Sequence, residues 1–88
     1  MAWKTEYKGN KAVKFLARLK AGKVSEEERL AVSKLNLGWN NLSILPPEIG
    51  QLTNLTGLDL RHNSLSSLPP EIGQLTNLTI LNLSFSRL

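Results

Sequence analysis

The sequence predicts an α/β solenoid. Repeating coils lay down a short parallel sheet of about three strands on a concave face, helices cover its N-terminal end, and no C-terminal cap follows. Three observations lead there. Residues 35–57 and 58–80 align without a gap, LNLGWNNLSILPPEIGQLTNLTG over LDLRHNSLSSLPPEIGQLTNLTI, with 17 of 23 positions identical. A fixed period of this size marks a repeat architecture. Within each repeat the leucines alternate, Leu35 with Leu37 and Leu58 with Leu60, which is the period of a strand with one buried face. Before Leu35 the pattern stops, and the residues read as helices.

In the full repeat at 58–80, Leu58 and Leu60 point inward while Gly57, Asp59 and Arg61 point outward. Pro69-Pro70 cannot sit inside a paired strand and forces an extended arm. The next residues, EIGQL, make one short helical or 3₁₀ turn that buries Ile72 and Leu75, and Leu78 leads into the following strand. A third copy begins at Leu81 with LNLSFSRL. No coil can bury its leucines alone, so the core forms only by stacking neighbours. Asn40 and Asn63 follow the strands, where a buried amide can satisfy the backbone of a tight turn. Asn54 and Asn77 recur in the same structural sense. Ser86 stands where the next Asn falls, a loss expected to be tolerable with no further coil to support.

The pattern LxxLxLxxNxL, carried by Leu55, Leu58, Leu60, Asn63 and Leu65, resembles the leucine-rich repeat family. The LPPEIGQL arm is similar to those of intracellular bacterial and plant members with 23-residue repeats. The resemblance covers about residues 32–88 and implies a non-enzymatic protein-interaction fold with partners on the concave face.

Ahead of the array, residues 1–34 are expected to form a helical N-terminal cap, separate from the repeats at 35–57, 58–80 and 81–88. Ser25 and Glu28 have capping-box spacing, Glu26 and Glu27 suit the positive end of a helix dipole, and Leu30 should face the core. An earlier helix spans residues 11–20, with Asn10 as N-cap and Gly22 as its stop. Ala12, Phe15, Leu16 and Leu19 share its apolar face; Lys11, Lys14 and Arg18 share another. Trp3 and Tyr7 fit either a place on this cap or a loose tail.

Composition narrows the function. With 88 residues the chain makes one small domain, and it has no Cys to supply a disulfide or a thiolate metal site. His62, the lone histidine, has no ligand cluster around it, so neither a metal nor a cofactor is expected. Asp59, His62 and Ser84 approach one another in register, yet an open repeat surface offers no oxyanion hole, so no catalytic residues are assigned. No stretch reaches the length of a secretory signal core or a membrane span, which leads to the expectation of a cytoplasmic protein. The net charge of +4 is carried by residues 1–24, which contribute +6. Nucleic-acid or acidic-partner binding is therefore a question about the first helix alone.

Register places the outward side chains in columns: Lys34, Gly57 and Ile80; Asn36, Asp59 and Asn82; Gly38, Arg61 and Ser84; and, beyond the strands, the rings of Trp39, His62 and Phe85. The ring column, with Asn36, Asp59, Arg61 and Asn82, is the candidate protein-binding surface, since aromatics are enriched at binding hot spots. One alternative function is self-association as a homodimer. The edge made by Ile80, Leu81, Asn82, Leu83, Ser84, Phe85 and Leu88 has unpaired backbone groups that a second copy could meet in antiparallel fashion. A second alternative is an acidic partner or nucleic acid on Lys11, Lys14 and Arg18.

Overall fold

A computed structural model describes residues 5–88. Trp3, for which the sequence offered a place on the cap, lies outside the described residues. In chain order the elements are β1 (Thr5–Tyr7), α1 (Gly9–Lys20), α2 (Glu26–Ala31), β2 (Val32–Asn36), a 3₁₀ turn at Pro47–Gln51, β3 (Gly57–Asp59), a second 3₁₀ turn at Pro70–Gln74, and β4 (Ile80–Asn82). The four strands form one sheet in the order β1-β2-β3-β4, every pair parallel.

The register between β2, β3 and β4 follows the repeat: Leu35 opposes Leu58, which opposes Leu81, and Asn36, Asp59 and Asn82 line up beside them. Leu35, Leu37, Leu58 and Leu60 are buried to within 1% of completeness. In both arms the second proline opens the 3₁₀ turn, where its missing N–H costs nothing. Ile49, Leu52 and Leu55 of the first arm are fully buried; of their counterparts Leu75 is buried, but Ile72 and Leu78 are only partly so.

The sheet has one strand more than the sequence suggested. Thr5, Glu6 and Tyr7 pair with Val32, Lys34 and Leu35, with an irregularity after Thr5. Tyr7 points inward and stacks on Phe15 with centroids 4.6 Å apart. A three-residue strand is too short for its alternation to stand out in sequence.

Helix α1 packs against β1, β2 and the first 3₁₀ turn, burying Ala12, Phe15, Leu16 and Leu19 in the same cluster as the repeat leucines. Its stop is as expected. Gly22 has φ +72°, its N–H bonds to the Leu19 carbonyl, and the Lys23 N–H bonds to that of Arg18, the double bond of a Schellman motif. Its start differs. Lys8, not Asn10, is the N-cap, without a side-chain bond, because Gly9 at φ +60° turns the chain in from β1.

In α2 the Ser25 hydroxyl accepts from the Glu28 N–H at 3.1 Å. The expectation that Leu30 faces the core is wrong: it is 39% exposed, and α2 buries no residue fully. Six residues give too few turns for an apolar face, and Val24 and Val32, just outside the helix, fill the core instead. The half-buried side of α2 is polar. Glu28 accepts from the Tyr7 hydroxyl at 2.8 Å and pairs with Arg18 at 2.8 Å, while Arg29 donates to the Val24 carbonyl.

Candidate interaction surface

Polar side chains lock each coil to the one before it. The Asn63 amide, 6% exposed, donates to the carbonyls of Leu37 and Leu60, and its oxygen accepts from the N–H groups of Asn40 and Leu42. Thr56 and Thr79 donate their hydroxyls to the carbonyls of Ser33 and Thr56, one coil earlier. Asn54 and Asn77 donate back to Leu30 and Thr53. Support therefore runs backward along the chain. The tolerance expected of Ser86 is corrected: an Asn there would serve coil 58–80, not a later one. Asn40 has no earlier turn to serve, and its amide makes only a local bond to Gly38.

On the outward face, a second polar row stiffens the strand ends. The side-chain oxygens of Asn36, Asp59 and Asn82 accept from the N–H two residues on, those of Gly38, Arg61 and Ser84, at 2.9, 3.1 and 3.0 Å. Asp59 also pairs with the Arg61 Nε at 3.2 Å. Both Asp59 oxygens are thus engaged, and the carboxylate is not free to orient His62.

The rings of Trp39, His62 and Phe85 form a continuous stack. Their centroids are 3.6 and 4.2 Å apart and their planes differ by 14° and 11°. Trp39 is 71% exposed and Phe85 75%. All three residues hold positive φ, 62°, 56° and 60°. Bulky side chains rarely adopt this region, and each such residue costs of order 1–3 kcal/mol. The sequence showed the column but carried no sign of this backbone. Backbone bonds from the Trp39 and His62 N–H to Arg61 and Ser84 in the next coil hold the stack in place.

Beside the rings, the columns expected from register come together. Lys34, Gly57 and Ile80 lie side by side, joined by Glu6 from β1, and border a shallow trough of about 340 Å³ over the sheet. Asn36, Asp59 and Asn82 line it, and Arg61 reaches it only through its ion pair with Asp59. The edge residues Ile80, Leu81 and Leu88 are 62%, 39% and 53% exposed, while Leu83 is partly buried against the core.

Of the basic face on α1, Lys11 and Lys14 are exposed, but Arg18 is committed. It pairs with Glu28 and lies over the Phe15 ring at 5.6 Å. That bond is the main cause holding the Glu28 carboxyl below its ordinary value. The Tyr7 hydroxyl is pushed up, first by burial and then by its bond to Glu28. Among the described residues no helix is long and apolar enough to cross a membrane, and no group of three or more His, Cys, Asp or Glu is placed to hold a metal.

A family model described as leucine rich repeat matches residues 31–88. No curated protein matches the chain. A solved leucine-rich repeat protein of Leptospira interrogans is similar, with 48% identity and a TM-score of 0.65 over 73% of this chain. The match covers 17% of that protein's length. Stacked parallel strands, inward leucines, backward-bonding Asn63 and the family match over two repeats together place this chain in the leucine-rich repeat family.

Proposed function

We propose that the chain is a non-enzymatic protein-interaction module that binds its partner with the outward face of the sheet, centred on Trp39, His62 and Phe85. Domains of this family are generally interaction modules. The observation that carries the reading is the ring stack: two large rings more than 70% exposed, held at positive φ that glycine would occupy at lower cost. Rigid exposed aromatics contribute contact area with little entropy to lose. Asn36, Asp59, Arg61 and Asn82 flank the stack as polar contacts. Photo-crosslinking with a benzophenone residue at Ser84, beside the stack, tests this. A partner trapped by the parent chain should be lost with W39S/F85S; equal trapping by the variant contradicts the reading.

A second reading is favoured by the outer edge of β4. Ile80, Leu81, Phe85 and Leu88 leave an apolar border there, next to the strand groups of Asn82, Leu83 and Ser84. A second copy could pair antiparallel along it, with two-fold symmetry. Light scattering over a dilution series tests this reading. It expects a dimer that N82P disrupts, and a stable monomer at micromolar concentration sinks it.

A further inference from the structure

We infer that the trough beside the ring stack takes an extended peptide segment bearing an acidic residue about three positions from an aliphatic or aromatic one. The inference rests on the reading above that this face binds a protein, and it names the chemistry of that partner.

The first argument is the inventory of unengaged polar groups. Among the described residues, Lys8 and Lys34 have no carboxylate within 4.0 Å. The amide oxygens of Asn36 and Asn82 are bound to backbone N–H groups, while their NH₂ groups donate to no described residue. The trough thus presents two ammonium groups and two amide donors. Of its acceptors, Asp59 is already held by Arg61 through both oxygens, which leaves only the Glu6 carboxylate unengaged. The surplus is in donors and positive charge, and it is matched by a carboxylate and by peptide carbonyls.

The second argument is shape. Gly57 is the bare position between Lys34 and Ile80. A Cβ built there meets only the Lys34 stem, at 3.5 and 3.8 Å, so the notch is open above the strand. Ile80, 62% exposed, forms its apolar wall. A hydrophobic side chain seated over Gly57 would cover Ile80 and the Lys34 methylenes together. Neighbouring strands lie about 4.8 Å apart, which puts Lys34 and Ile80 roughly 10 Å from each other. A peptide in the extended polyproline II form, with about three residues per turn and about 3.1 Å per residue, presents side chains i and i+3 to one side at about that distance. An acid over Lys34 and Lys8 and an apolar residue over Gly57 and Ile80 meet that spacing.

The test is selection of a random displayed peptide library on the immobilised full chain. The enriched peptide is then synthesised, and its affinity for the chain and its variants is measured by fluorescence anisotropy. The inference expects enriched sequences that pair Asp or Glu with Leu, Ile, Val or Phe about three positions away. K34E, K8E/K34E and G57L should each weaken binding about tenfold or more. The affinity should also fall steeply in about 1 M salt, where the Debye length is about 3 Å. The lysine variants change exposed side chains and keep the test independent of whether G57L folds. No enrichment, enrichment of basic or uncharged peptides, or unchanged affinity in the lysine variants overturns the inference. W39S separates the two readings: loss of binding in W39S alone leaves the interaction face standing and removes the acidic peptide, whereas no loss in any variant removes both.

Discussion

The side-chain oxygen of Asn63 accepts from the backbone N–H of Leu42, one coil earlier, at 2.9 Å. The same side chain reaches Asn40, Leu37 and Leu60, so one buried amide closes the turn between two coils. N63A leaves these groups unpaired and should cost about 2–4 kcal/mol in urea unfolding. N40A removes only a local bond and should cost less than about 1 kcal/mol. Equal losses would contradict the backward direction of support.

Ser86 occupies the corresponding place in the last coil. Its hydroxyl bonds within that coil, to the Leu83 carbonyl at 2.7 Å. The N–H groups of Asn63 and Leu65, counterparts of those the Asn63 amide oxygen serves one coil earlier, find no partner among the described residues. S86N should supply that amide and raise the stability by about 1 kcal/mol. An unfolding midpoint that stays put or falls would contradict this.

Gly50 and Gly73 hold the same repeat position but face different surroundings. A Cβ on Gly50 would lie 2.8 Å from the Glu71 carbonyl oxygen and 2.7 Å from Gln74 Oε1; one on Gly73 meets nothing within 4 Å. G50A should therefore destabilise by about 1–3 kcal/mol, because the next arm must move. G73A should be neutral or slightly stabilising, by up to about 1 kcal/mol. Thermal unfolding of the two variants makes the comparison.

The Tyr7–Glu28–Arg18 cluster should make stability depend on acid. Arg18 holds the native carboxyl of Glu28 below its ordinary 4.5. For a depressed value the stabilisation is fully present above the unfolded value and is lost as pH falls through the lower native one. Denaturant unfolding followed downward from neutral pH should show this loss in the parent chain, and E28Q should flatten it. An E28Q profile parallel to the parent's would show that the cluster contributes nothing.

Much of this was legible in the sequence for a simple physical reason. A gapless 23-residue repeat fixes register, because equivalent residues must stack. The columns of Lys34, Gly57 and Ile80 and of Trp39, His62 and Phe85 follow from that alone. Leu30 and Arg18 did not follow, since their placement depends on how a six-residue helix meets β1 and α1. The strand Thr5–Tyr7 has no repeat to announce it. The positive φ of the ring residues belongs to the turn after each strand, and ring spacing carries no sign of it.

The measurement that bears most directly on the interaction face is ¹H–¹⁵N chemical-shift mapping of the full chain titrated with its selected peptide. The largest changes are expected at the Trp39 indole and the backbone amides of Lys34, Gly57, His62, Ile80 and Phe85. Changes confined to Lys11 and Lys14 on α1, or to the arms around Ile49 and Ile72, would contradict a binding site on the outward face of the sheet.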